Sequence, residues 1–216
     1  MTPYIIWDWN GTLLDDVDAA VNALNRMLIA RNVTPTTRNF YRDHFGFPVR
    51  PFYTTLGVDL AHEDWDQICH DFHAFIGQEP QSLRSEALAA LTFAREAGIG
   101  QSLLSALRED LLRRDTTHYG VAAFMDAIFG VDNLDGATKL SRGRELLTSL
   151  KARATDLTFY FVGDTLHDVE VAQALGARCI LVDGGHQAAE RLAAAHVPVT
   201  ASPLEAVHII SSELQL

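Results

Sequence analysis

Four short stretches of this chain place reactive or charged residues directly after apolar runs. Asp8 follows Tyr4–Trp7 and opens Asp8-Trp9-Asn10-Gly11-Thr12-Leu13-Leu14-Asp15-Asp16. A carboxylate there can bind a metal or attack phosphorus, and the Gly-Thr behind it supplies a tight turn whose amides and hydroxyl can meet anionic oxygens. The plainer alternative is an Asp-initiated turn. Ser105 and Ala106 follow Ser102–Leu104 at the expected start of a helix, where a hydroxyl and N-terminal amides suit a phosphate oxygen, although an ordinary Ser N-cap would look the same. Lys139 precedes another helical pattern in Gly136-Ala137-Thr138-Lys139-Leu140-Ser141. It is one of only two lysines, the other being Lys151, and as a point charge it could pin a carboxylate and a phosphoryl group. Finally, Asp164 and Asp168 stand in Gly163-Asp164-Thr165-Leu166-His167-Asp168 after the run Thr158–Val162. Carboxylates one helical turn apart repel, and a divalent cation compensates them; two acids favouring a helix N-terminus is the alternative. Four such places in one chain order make independent accidents a poor explanation.

The elements that must position these residues follow from apolar periodicity. Runs at Tyr4–Trp7, Ser102–Leu104, Ala127–Phe129, Thr158–Val162, Cys179–Val182 and, weakly, Val197–Thr200 read as buried strands. Helical patterns separate them over Leu107–His118, Ser141–Arg153, Leu166–Leu175, Ala188–Ala195 and Leu204–Ile210. This alternation predicts an α/β fold with a doubly wound parallel sheet, in which ligands bind beyond the carboxyl ends of the strands. Residues 16–81 differ: helical periodicity in Val17–Ile29 and Trp65–Phe75, turn chemistry at Thr34-Pro35 and Phe47-Pro48, and no convincing strand. They read as a helical insertion after the first strand, closed by Glu79-Pro80-Gln81-Ser82, which leaves 1–15 and 82–216 as the core.

Composition narrows the partners. A formal charge of −11 argues against nucleic acid and anionic membranes, whose affinity needs clustered Lys and Arg. A phosphorylated small molecule would then need local positive charge, from a metal or a few placed cations. No stretch approaches the ~20 apolar residues that cross a bilayer, and Tyr4–Trp7 is too short for a signal-peptide core, so a cytoplasmic location is expected. Cys69 and Cys179 have no CxxC spacing and read as buried small hydrophobes.

In the order of these parts the sequence resembles the haloacid dehalogenase superfamily along nearly its whole length, in particular its phosphoglycolate-phosphatase-like branch. Asp8–Leu13 resembles the DxDGT(L/V) nucleophile loop, Ser105 the motif-two Ser/Thr, Lys139 the motif-three Lys, and Gly163–Asp168 the GDxxxD metal motif. The resemblance implies a Rossmann-like core with a small helical cap that closes over the site to exclude water. It also implies a phosphatase acting on a small phosphorylated metabolite through an aspartyl-phosphate. In that scheme Asp8 is the nucleophile; Mg²⁺ is held by Asp8, the Asn10 backbone carbonyl and Asp164, with Asp168 orienting a water on that ion. Ser105, with Ala106, and Lys139 hold the phosphoryl group, and Thr12 helps to fix the loop. Within the cap, Gly46-Phe47-Pro48-Val49-Arg50 resembles a substrate-contacting loop, with Arg50 the residue that would grip an anionic group, an exposed Arg on a cap helix being the equal alternative, and His44 and Arg42 weaker candidates.

One position departs from the pattern. The loop's second Asp, the family's general acid and base, is here Asn10, and losing such a group typically costs about 10²–10⁴ in rate. Three explanations stay open: a substrate with a good leaving group, such as an acyl or aryl phosphate or a pyrophosphate; another proton carrier, for which His44, His167 and Asp15 are the candidates; or a catalytically attenuated phosphate-ester binding or regulatory protein. A lysine Schiff-base route is disfavoured because residues 16–81 contain no Lys. Metal-independent dehalogenation is disfavoured by Asp164 and Asp168, a phosphomutase by the proton shuttling it needs, and a response-regulator receiver by the insertion.

Overall fold

The computed structural model describes residues 2–132, 139–152 and 156–213. The chain runs β1 (Thr2–Trp7), β2 (Leu14–Asp15), α1 (Val17–Ala30), α2 (Arg38–His44), α3 (Val49–Thr55), α4 (Trp65–Ile76), β3 (Ser82–Leu83), α5 (Ala87–Glu96) and β4 (Gly100–Arg108). It continues with α6 (Glu109–His118), β5 (Ala127–Val131), α7 (Lys139–Lys151), β6 (Leu157–Gly163), α8 (Leu166–Leu175), β7 (Arg178–Val182), α9 (Ala189–Ala193), β8 (Val199–Thr200) and α10 (Pro203–Glu213).

Six strands form one parallel sheet in the order β5-β4-β1-β6-β7-β8. β1 lies at its centre, which is why Tyr4–Trp7 carries no polar residue: Ile5 and Trp7 pack into an apolar cluster on one face, and Tyr4 and Ile6 into the cluster on the other. The first cluster is closed by α5 and α10, through Leu91, Val207 and Ile210, and the second by α7 and α8, through Leu146 and Val171. Since β4 departs to one side of β1 and β6 to the other, Asp8 emerges where the winding reverses.

Helices α1–α4 pack on their own apolar cluster, centred on Leu24, Met27, Phe52 and Ile68. Two of them, α2 and α3, have seven residues each and were not legible as periodic segments; the Thr37 hydroxyl caps α2 by accepting from Phe40 N. The chain leaves and re-enters the sheet domain through a feature not expected from the sequence, the antiparallel pair β2 and β3, which brings Asp15 opposite Ser82. Two further expectations are corrected. Ser105 and Ala106 do not sit at a helix start, because β4 continues to Arg108 through a register shift against β5, and α6 begins only at Glu109. Asp164 lies ahead of α8 rather than in it; the helix is capped by Thr165 and carries Asp168 in its first turn. The Gly136–Thr138 connection ahead of Lys139, and Arg153, lie outside the described residues. Both cysteines are buried and outside any disulfide, and no helix among the described residues is long and apolar enough to cross a membrane.

Candidate active site

The carboxyl ends of β1, β4 and β6 and the start of α7 converge on one cavity of about 410 Å³, roofed by α1–α4. Asp8 continues the β1 ladder, its amide donating to Val162 O. Lys139, 3% exposed, reaches from the start of α7 over the Phe161 ring and donates to Asp8 Oδ1 and Asp168 Oδ1, both at 2.7 Å. Asp8, Asp164 and Asp168 each offer a carboxylate oxygen within 4.8 Å of the others.

Local chemistry explains how three buried acids are held together. Asp168 Oδ2 accepts from the Thr165 amide and hydroxyl, which closes the capping box at the start of α8. Asp164 Oδ1 accepts from the Thr12 hydroxyl at 3.2 Å, and Oδ2 from the His186 amide at 2.6 Å. Gly11 and Gly185 leave room for that carboxylate: a Cβ on either would overlap Asp164 Oδ2, and Gly11 also has a φ of +71°. Burial pushes Asp8 up to about 8; the Asp168 and Asp164 charges add to this, and Lys139 only partly offsets it. Asp164 is likewise raised by burial, to about 6, while Asp168, despite its burial, is held low by Lys139. One lysine against three carboxylates leaves uncompensated negative charge, and the donors are hard oxygens. Both features fit a Mg²⁺-type cation.

Beside Asp8, the Asn10 side chain does not face the cavity alone. Its Nδ2 donates to Asp16 Oδ2 at 2.7 Å, and Asp16 Oδ1 accepts from the Gly11 amide at 2.8 Å and lies 3.2 Å from His186 Nε2. His186 Nδ1 in turn lies 2.8 Å from the Tyr41 hydroxyl of α2. Although burial favours the uncharged forms, His186 and the Asn10 and Gly11 donors hold Asp16 below the ordinary carboxylate range, and Asp16 chiefly raises His186 to about 9. Asp16, His186 and Tyr41 line the cavity, and none of them was singled out from the sequence. A signal for His186 existed, since it follows the apolar run of β7 in Asp183-Gly184-Gly185-His186. Arg84 was also missed; it braces the nucleophile loop by donating to Gly11 O at 2.8 Å and Asp183 O at 2.5 Å.

Of the expected site residues, Asp8, Asn10, Ser105, Ala106, Lys139, Asp164 and Asp168 all line the cavity. Ser105 is buried there, its Oγ accepting from Leu107 N at 3.1 Å. Thr12 is engaged by Asp164 instead of facing a ligand. Arg50 is not brought to the site: it is exposed, with its guanidinium 4.8 Å from the centre of the Trp65 ring. Arg42 is used to clip α2 to the loop after β7, donating to Gly185 O and Gln187 O, both at 2.9 Å. The three candidate proton carriers also stand outside the cavity lining. Asp15 and His44 are exposed, His44 stacks on Phe40, and His167 pairs with Glu170 beside Phe47.

The family model for haloacid dehalogenase-like hydrolases matches residues 5–182. The chain belongs to that family. Among solved structures, this haloacid dehalogenase-like hydrolase is similar in fold to a predicted phosphatase from Clostridium acetobutylicum, at TM-score 0.80 and 20% identity with all of both chains covered. It is also similar to a predicted phosphoglycolate phosphatase from Haemophilus somnus 129PT, at TM-score 0.72 and 14% identity over 97% of this chain and 98% of that one. CbbY from Rhodobacter sphaeroides, solved with phosphate, matches at TM-score 0.67 and 22% identity over 95% and 96% of the two chains. No curated protein matches the sequence.

Proposed function

We propose that this hydrolase is a Mg²⁺-dependent phosphatase of small phosphorylated metabolites, working through an aspartyl-phosphate on Asp8. The observation that carries the reading is the Asp8 carboxylate at the sheet's switch point, hydrogen-bonded to Lys139, grouped with Asp164 and Asp168, and lining the cavity beneath α1–α4.

Asp8, the Asn10 backbone carbonyl and Asp164 would hold the cation, with Asp168 beside them. When bound, Mg²⁺ neutralises the carboxylates and polarises the phosphoryl oxygens. The chain's own residues do the rest. Lys139 keeps Asp8 oriented and meets charge that develops on the transferring group. The Ser105 hydroxyl and Ala106 amide supply donors for the phosphoryl oxygens. Asp8 attacks phosphorus, the leaving oxygen departs with the electron pair, and water then cleaves the acyl phosphate, returning the Asp8 carboxylate and inorganic phosphate. Helices α1–α4, clipped down by Arg42, act as the cap that limits water in the site. Asn10 supplies no proton, and its amide is committed to Asp16.

The test is phosphate release from a panel of monoesters and acyl phosphates with Mg²⁺. Turnover well above an Asp8→Ala control is expected, and turnover equal to that control would reject the reading. The Asn10 amide favours one second reading, a phosphate-ester binding protein with attenuated turnover. Tight binding of BeF₃⁻ with Mg²⁺, and no turnover on any panel member, would select it.

A further inference from the structure

The cavity extends from Asp8 into the helical insertion, where Phe45, Phe47, Phe52, Tyr53, Trp65 and Phe72 line it. Its arginines, Arg108 and Arg114, are each paired with a carboxylate of α6, Asp110 and Asp115, and Lys139 is committed to Asp8 and Asp168. With Arg50 turned onto Trp65, the described part of the insertion offers no arginine or lysine to grip a second anionic group on a substrate. What it offers is aromatic surface. Trp65 adds one polar feature, a buried indole N–H with no acceptor among the described residues, which a carbonyl or hydroxyl oxygen on a bound ring would satisfy.

Asn10 places an independent demand on the same molecule. Asn10 supplies no proton, and both ring nitrogens of the nearby His186 are engaged, by Asp16 and Tyr41, so the leaving oxygen departs as an anion. An aryloxide, whose conjugate acid has a pKa of about 10 as in tyrosine's phenol, does this far more readily than an alkoxide, whose conjugate acid is a far weaker acid, close to water. We propose that the substrate is an aryl phosphate: a phosphate monoester of a phenol-type hydroxyl on a flat, uncharged ring that packs among the insertion's aromatic side chains while its phosphoryl group meets Asp8. The inference rests on the phosphatase reading above. In the first step the Asp8 oxygen–phosphorus bond forms and the aryl oxygen–phosphorus bond breaks, the electron pair leaving on the aryloxide, which takes a proton from solvent. In the second, water adds to phosphorus and the Asp8 oxygen–phosphorus bond breaks.

The test compares phenyl phosphate, benzyl phosphate and acetyl phosphate on the intact protein with Mg²⁺. Benzyl phosphate keeps the ring but leaves as an alkoxide, and acetyl phosphate leaves easily but has no ring. Phenyl phosphate is expected to exceed benzyl phosphate in kcat/KM by about 10²-fold or more, the usual loss when a needed acid is missing. Phenylphosphonate is expected to inhibit acetyl phosphate turnover with a Ki at least about tenfold below that of methylphosphonate, the gain from burying a ring. Comparable rates for phenyl and benzyl phosphate, or equal Ki values for the two phosphonates, would overturn the aryl assignment while Asp8-dependent acetyl phosphate turnover left the phosphatase reading standing. Absence of turnover on all three would remove that reading and the inference with it. Trp65→Ala should lower phenyl phosphate kcat/KM about tenfold more than that of acetyl phosphate; because the phosphonate comparison uses the unaltered chain, the test does not depend on this variant folding.

Discussion

Restoring the missing acid by Asn10→Asp should fail on its own, and the structure says by how much. Asn10 Nδ2 and Asp16 Oδ2 are 2.7 Å apart. A second carboxylate at that separation, at an effective dielectric of about 20, meets ~6 kcal/mol of repulsion, or ~4 pKa units shared by the pair. The two acids cannot both ionise, so one proton is trapped between them rather than presented to a leaving group. The isosteric double exchange Asn10→Asp with Asp16→Asn avoids this. The new amide would donate to the new carboxylate, and its oxygen would keep the contacts that Asp16 Oδ1 makes with the Gly11 amide and His186. Measured as Mg²⁺-dependent phosphate release from benzyl phosphate, the single variant should gain less than about tenfold and the double variant about 10²–10⁴-fold. A full gain from the single variant, or none from the double, would refute the argument that Asp16 controls this position.

Lys139→Met should lower kcat by about 10²–10³-fold and weaken the metal-free fold, because two buried carboxylates lose their shared cation; steady-state kinetics and melting curves check both. Gly185→Ala should weaken Mg²⁺ affinity about 10–100-fold by displacing the Asp164 carboxylate, read by calorimetric titration, and unchanged affinity would dismiss the packing argument. Mg²⁺ should raise the melting temperature more at pH 8 than at pH 5. The sign follows from Asp8 and Asp164, whose folded values of about 8 and about 6 lie above the ordinary 3.8. Groups raised in the fold favour it at low pH, and that contribution is lost as pH climbs from about 4 through 8, the window in which a cation replaces the proton. A pH-independent shift would contradict the assignment of these carboxylates to the metal.

Much of the scaffold could be read because the central strands carry apolar runs that stop at a polar residue: β1 stops before Asp8, and β6 ends at Gly163, before Asp164. The bounds of α8 were read directly, since Leu166 follows a capping Thr and Leu175 precedes a glycine in the left-handed region. The same strand-end rule picks out Asp8 and Asp164. Applied after β7 it reaches Asp183 first, with His186 three residues further on, behind two glycines. Other features depend on contacts that local pattern does not carry. Asp16 owes its role to a histidine 170 residues away. Arg50 looked like an anion grip in sequence, but its direction is set by Trp65 on a neighbouring helix. α2, α3 and the two-residue strands β2 and β3 are too short for periodicity to register.

The most direct test of the central claim is chemical trapping of the phosphorylated carboxylate. The protein is mixed with phenyl phosphate or acetyl phosphate and Mg²⁺, quenched, reduced with borohydride and digested for mass spectrometry. An acyl phosphate on Asp8 would be reduced there to homoserine, and this conversion at Asp8, dependent on both Mg²⁺ and substrate, is the expected result. Steady turnover with Asp8 unreduced, or reduction mapped to a different carboxylate, would contradict the claim.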